Sequence, residues 1–295
     1  MLRKQNPLPS VDDSVGFDPE AHAYNVEGVP VPISVTGVVD QLFPRFRPRK
    51  TVELHYETWK ASGRKYRQII GNAASDEDAK KAIVKLWTDD TTARDMGTLV
   101  HACVEQLLNR QPVDPEARGQ VFAELNAFEV WLEGSGLTPV RTELPVFAKD
   151  NVGGAPVLAG TIDALFRDAE GQLWLLDWKR TSKPFGPKEW AFRRHGHGPA
   201  IRLSDTKHAK YSVQLALYAL LLREATGLDV ADRRLLARFA PGSGEVEEVP
   251  ADTSPAVEEA AAAALARLKA GEPVLAEGEG SSSDEGEECR AAVRA

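Results

Sequence analysis

Between residues 137 and 181 one pattern occurs three times in close succession: LTPVRTELPVFAK, APVLAGTIDALFRD and GQLWLLDWKRT. Each is a run of alternating or continuous apolar residues, and turn-rich segments at 151–154 and 169–171 separate them. Connections this short join antiparallel neighbours. The triplet therefore predicts a sheet, and whatever lies before and after must cover it. Residues 34 to 110 read as mostly helical, broken at Pro44, Pro48, Gly63 and Gly71. The best helix start is Thr91-Thr92, with Asp95 as a capping-box-like acid. A second helix is expected over about 115 to 133. After the triplet come a basic loop (183 to 206), a helix over about 207 to 226, the strand RRLLARFA and a returning strand GEVEEVPA. The Ala-rich SPAVEEAAAAALARLKA reads as a last helix. The long connection through the 207–226 helix permits a parallel crossover, so the order helix, three strands, helix, strand implies an α/β domain with a mixed central sheet.

The ends are less regular. Residues 1 to 20 are polar and expected to be loose, and HAYNVEGVPVPISVT (22 to 36) suggests a hairpin about Glu27-Gly28. The division expected is an N-terminal hairpin and helical accessory region over 1–90, a core domain over 91–270, and a disordered tail over 271–295. That tail carries seven acids and two bases, most of the net charge of −8. The acidic balance thus leaves room for a nucleic-acid partner of the remainder, where local basic patches decide. Two cysteines, Cys103 and Cys289, in a helix and a polar tail, make a structural disulfide unexpected. No apolar run has the length of a signal peptide or of a membrane span of about 20 residues. A soluble, intracellular protein with no membrane partner is expected.

Four short motifs sit on this scaffold. GTLVHACVE places His101 and Glu105 four apart, on one face of a helix. GTID puts Asp163 in an apolar strand. DWK puts Asp177 and Lys179 two apart, on one face of the next strand. QLALY places Gln214 and Tyr218 four apart on a helix. Read singly, each has a bland alternative: a satisfied histidine, a same-face ion pair worth about 0.2–1 kcal/mol, helix-surface packing. Together they supply two carboxylates and an imidazole, which suit Mg²⁺ or Mn²⁺, beside an ammonium that can orient an attacking water. Burying such charge without purpose is costly.

In this order the motifs resemble the PD-(D/E)xK nuclease superfamily, in the branch of RecB-type exonuclease domains and mitochondrial genome maintenance exonucleases. The resemblance covers roughly residues 95 to 240. It implies a restriction-endonuclease-like αβββαβ core and a Mg²⁺- or Mn²⁺-dependent deoxyribonuclease. The expected action is exonuclease or flap-type, in DNA replication, repair or recombination. It implies His101, Asp163 and Asp177 as metal ligands, with the Trp178 carbonyl as a further one, and Lys179 as the catalytic lysine beside Asp163 and Asp177. Glu105 would either bind a second ion or hold His101. Gln214 and Tyr218 would line the site or contact DNA. The family's threonine after D-x-K stands one residue late, at Thr181. Glu143, on the first strand, could face the site or solvent.

Expected DNA contacts are Lys183, Arg193 and Arg194 of the basic loop, with Thr181 just before it and Lys210 just after it. Two further clusters with interleaved aromatics, RFRPRK (45 to 50) and GRKYRQ (63 to 68), suit single strands or duplex ends. His195 and His197 lack the cysteines of a zinc site, and two cysteines are too few for an iron–sulfur cluster. The alternatives are a non-catalytic DNA-binding or assembly module of the same fold, and an RNA or nucleotide phosphodiesterase. The acidic tail could mimic nucleic acid and limit non-specific binding.

Overall fold

The computed structural model describes residues 1–18, 21, 23–89, 91–191 and 194–279. In chain order the elements are α1 (Leu2–Gln5), α2 (Pro9–Asp12), β1 (Val15–Asp18), β2 (Ala23–Val26), β3 (Val29–Pro30), α3 (Val35–Leu42), α4 (Pro48–Ser62), α5 (Arg67–Asn72) and α6 (Asp76–Asp89). There follow α7 (Thr92–Leu108), α8 (Pro115–Gln120), α9 (Phe122–Gly134), β4 (Thr138–Lys149), β5 (Pro156–Arg167) and β6 (Leu173–Arg180). Last come α10 (Lys207–Thr226), β7 (Arg234–Phe239), β8 (Val246–Pro250) and α11 (Pro255–Lys269). The chain forms two compact units, one from residues 1–44 with 99–295 and one from residues 45–98.

The larger unit is built on a five-stranded sheet in the order β4-β5-β6-β7-β8. Its first three strands are antiparallel neighbours, β6 and β7 are parallel, and β8 returns antiparallel to β7. This is the mixed α/β sheet read from the strand triplet and the long helical crossover. The crossover α10 starts under a Thr206 cap and stops at Gly227 in the left-handed region (φ 75°). It is apolar nearly all round: Val213, Leu215, Ala216, Leu217, Leu221 and Leu222 are fully buried. That is what a helix between a sheet and a second helix, α11, requires. Gly160 of β5 is set by this packing. A Cβ there would stand 2.7 Å from the Tyr218 ring and 3.0 Å from Val35.

Three expectations need revision. The predicted 115–133 helix is two helices, because Val121 leaves helical dihedrals (φ −122°, ψ 29°). Residues 1–18 are ordered into α1, α2 and β1, the last pairing with the anticipated hairpin of β2 and β3. What holds them is remote in sequence. Arg141 of β4, 1% exposed, places its guanidinium 2.5 Å from Asp12 and donates to the Asn6 carbonyl at 2.9 Å, while Asn6 donates to the Val140 carbonyl at 3.0 Å. The described start of the acidic tail is also packed: Val274 is buried, and Arg267 pairs with Glu279, whose carboxyl is held down at about 2 by that guanidinium. Residues 280–295, where the rest of that tail and Cys289 lie, are outside the described residues.

Replacing Asp12 by Ala strands the buried Arg141 charge, and losing one partner of a buried pair costs about 3–5 kcal/mol. The expected result is a fall in thermal midpoint of roughly 5–10 degrees, read by calorimetry. A shift within two degrees would mean that the N-terminal clamp carries no stability.

Candidate metal and catalytic site

The sheet forks where the chemistry sits. β5 and β6 pair from Arg167↔Leu173 to Ala164↔Leu176 and then part. Beyond that point β6 keeps only its parallel partner, with Asp177↔Leu236 and Lys179↔Arg238 in register. The Trp178 amide, left without a rung, donates instead to Asp163 Oδ2 at 2.8 Å. The Trp178 carbonyl lies 2.8 Å from His101 Nε2 of α7. One carboxylate and one imidazole thus close the ladder that the strands leave open. The Trp178 ring points to the other face, 2% exposed among Phe128, Trp131, Phe166 and Phe239.

A carbonyl only accepts, so His101 Nε2 carries a proton and Nδ1 is the atom turned to Asp163 Oδ2, 3.4 Å away. Glu143 completes a group with them: among the described residues, His101, Glu143 and Asp163 are the His/Cys/Asp/Glu set whose ligand atoms converge, all within 4.8 Å of one another. Glu143 reaches this position by an unusual backbone. Its φ is +43°, left-handed conformation in the middle of a strand, and such strain concentrates at functional sites. Desolvation by the surrounding cleft, then the charges of Asp163, Glu105 and Asp177, push its carboxyl up to about 8, although the residue still presents surface to solvent. Burial likewise raises Glu105. A cavity of about 310 Å³ opens beside this wall, lined by Arg3, Glu105, Asn109, Thr142 and Glu143 among others.

The pair read as DWK lies adjacent. Lys179 Nζ is 2.7 Å from Asp177 Oδ2, and both side chains are largely buried. Burial alone would favour the neutral amine, but the charges of Asp177 and Asp163 win and raise Lys179 above its ordinary range. It is an ammonium here. Burial, opposed by Lys179 and reinforced by Asp163, pushes Asp177 up to about 6. Gln214 bridges the two, accepting from Lys179 Nζ and donating to Asp177 Oδ1, each at 3.4 Å; its Nε2 is also 3.3 Å from the Tyr218 hydroxyl. Gln214 and Tyr218 are 8% and 5% exposed, so they brace the pair from below rather than face open solvent. Tyr211 joins them, its ring 4.6 Å beneath Lys179 Nζ. Residues 211, 214 and 218 are spaced i, i+3, i+7, the one-face pattern that identifies Tyr211 once Gln214 is singled out.

His101, Glu105, Glu143, Asp163 and Asp177 gather four carboxyl groups and an imidazole, and Lys179 is paired with one of them. A divalent ion fits this donor set, three oxygens or more and one nitrogen. Its charge would offset the carboxylates gathered about Glu143, with His101, Glu143 and Asp163 as the residues that would hold it.

The expected DNA contacts are more scattered. Arg194 and Lys210 both pair with the nearly buried Asp205, at 2.8 and 2.7 Å. The Thr181 hydroxyl accepts from Lys207 at 2.9 Å, and Lys183 is exposed. Arg193 lies outside the described residues.

The model of the PD-(D/E)XK nuclease superfamily matches residues 79–291, a span that holds the forked sheet together with His101, Glu105, Glu143, Asp163, Asp177, Lys179 and Gln214. The chain belongs to the PD-(D/E)XK nuclease superfamily. Membership makes it a nuclease-like protein with a nucleic-acid substrate, of a superfamily that uses divalent metals. No curated protein matches the chain. Among solved structures, that of SSO0001 is 16% identical with a TM-score of 0.32, covering 78% of this chain and 73% of that one. A Eubacterium rectale protein provisionally assigned as an exonuclease is 12% identical with a TM-score of 0.33, covering 78% and 88%. Neither adds to the family assignment. No helix among the described residues is long and apolar enough to cross a membrane.

Proposed function

We propose that this PD-(D/E)XK protein is a Mg²⁺- or Mn²⁺-dependent deoxyribonuclease that hydrolyses phosphodiester bonds in single strands or at duplex ends. The observation that carries this reading is the convergence of His101, Glu143 and Asp163 next to the buried Asp177–Lys179 pair. In this reading His101, Asp163, Asp177 and the Trp178 carbonyl would hold the ion, Glu143 would join them, and Glu105 would stand behind as support or as a ligand of a second ion. A bound ion supplies the positive charge that acidifies a water and offsets charge on the scissile phosphate.

The chain's own groups do the rest. An ammonium has three donors. Asp177 and Gln214 engage two of those on Lys179, and the third is left for the attacking water or a non-bridging phosphate oxygen. Because its neighbours keep Lys179 charged, it acts by orienting and by electrostatics, not as a free base. Asp163 fixes the fork through Oδ2 and keeps Oδ1 without a hydrogen-bond partner among the described residues. In the net reaction water adds across a P–O bond, one proton leaving with the sugar hydroxyl.

The test is incubation of the full chain with labelled linear DNA, circular DNA and RNA in Mg²⁺, Mn²⁺ or EDTA. Cleavage of linear DNA that needs either ion is expected. Equal cleavage in EDTA, or RNA as the sole substrate, would overturn the reading.

A further inference from the structure

The unit formed by residues 45–98 has a core of its own, Val52, Tyr56, Ala79 and Ile83, with Ile69, Ile70 and Val84 packed against it. One edge of it does more than a core needs. Rings form a connected string there: Phe46 against Trp87 at 5.4 Å, Trp87 against Tyr66 at 5.9 Å and Trp59 at 5.8 Å, and Trp59 against Tyr66 at 4.9 Å. Trp87 Nε1 donates to the Tyr66 hydroxyl at 3.0 Å. Trp59, Tyr66 and Trp87 are partly exposed, and Phe46 is 63% exposed.

These contacts put two basic segments on either side of one indole: Arg45, Arg47 and Arg49 through Phe46, and Arg64, Lys65 and Arg67 through Tyr66. Lys65 Nζ lies 5.9 Å from the Trp59 ring centre. Among the described residues, Arg45, Arg47, Arg49, Arg64 and Arg67 have no acidic partner, and all five are exposed. Lys60 and Lys80 of the same unit behave differently. Lys60 pairs with Asp76 at 2.6 Å, Lys80 with Glu53 at 2.5 Å. Residues 45–68 hold eight bases and two acids in a chain whose net charge is −8. Moreover, Arg47 and Arg49 stand at the N-terminal end of α4, where the helix dipole disfavours cations and the first turn holds no acid. Folding does not explain that arrangement; an anionic partner does.

We infer that the 45–98 unit is a binding site for single-stranded polynucleotide, its arginines engaging phosphates and the Phe46–Trp87 edge stacking on unpaired bases. A duplex hides its base faces, so the exposed ring selects the single strand. This rests on the proposed function only in the polymer class, and binding is measured without catalysis.

The experiment is fluorescence anisotropy of the full chain in EDTA, with labelled single-stranded DNA, single-stranded RNA and duplex DNA of equal length. Arg45→Gln/Arg47→Gln/Arg49→Gln should weaken single-strand binding tenfold or more and flatten the salt dependence by about 2 log units per log unit of salt, three contacts at roughly 0.7 each. Phe46→Ala should weaken it fivefold or more. Arg110→Gln/Arg167→Gln/Arg223→Gln, three exposed bases of the larger unit, should change it less than twofold. Preference for DNA over RNA, or equal binding of both, supports the site and identifies its polymer. Wild-type affinity in the 45–49 variant, or duplex bound as tightly as single strand, overturns it. A chain that binds but never cleaves sinks the proposed function and leaves this site standing; one that cleaves normally with an inert 45–49 edge does the reverse.

Discussion

Lys179→Met should lower the rate of DNA cleavage about 10²–10⁴-fold, the range for loss of a positioned proton-handling or charge-stabilising group. The side chain nearly matches in volume, so the loss reports charge. In the wild type the ammonium sits 2.7 Å from Asp177 and bridges through Gln214, with one donor to spare. Methionine keeps the packing over Tyr211 and removes all three donors. Lys179→Arg should rescue little, because a planar guanidinium presents its donors in a different fork. Mn²⁺ binding, followed by titration calorimetry, should weaken far less than the rate does, since the ammonium is not a ligand. Activity within tenfold of wild type, with the thermal midpoint unchanged, would remove Lys179 from the reaction.

Glu143→Gln is the second large effect. An amide keeps the size and loses the charge, and metal affinity should fall about 10–100-fold, as for loss of a group that tunes a metal site. The metal-free protein offers an independent readout. The Glu143 carboxyl titrates near 8 when folded, well above an ordinary glutamate at 4.5. The folded state therefore holds this proton where the unfolded chain has released it, so this group's contribution to stability is full below about 4.5 and is lost as pH rises through about 8. In EDTA, wild type should lose thermal stability across that window, and Glu143→Gln should flatten the loss. Added Mn²⁺ should reverse the order, stabilising wild type more, by about 2.7 kcal/mol at a hundredfold excess over its dissociation constant. Equal Mn²⁺ affinity in the two proteins would show that Glu143 is not part of the metal site.

These two residues differed in how plainly the sequence showed them. Asp177 and Lys179 were legible because a regular strand puts i and i+2 on one face, and β6 is regular there. Glu143 was ambiguous for a physical reason: β4 slips register between Pro139 and Arg141, and Glu143 itself turns left-handed, so alternation cannot say which way it points. The crossover helix, the strand triplet and the parallel β6–β7 pair followed from periodicity and connection length. The N-terminal α1, α2 and β1 did not, since four-residue elements carry no period and are held by Arg141, 129 positions after Asp12. Arg194 and Lys210 show the opposite failure. Their charge was visible in the sequence, but Asp205, which occupies both, was not visible as their partner.

The fork at Trp178 ties ligand geometry to the hydrophobic interior. A residue whose backbone is gripped by Asp163 and His101 and whose ring is wedged among Phe128, Trp131, Phe166 and Phe239 cannot be repacked without re-aiming the donors. A substitution in that region therefore disturbs interior packing and donor aim together. The 45–98 segment has a core of its own and carries none of the residues that grip Trp178, so its surface can change without disturbing that fork.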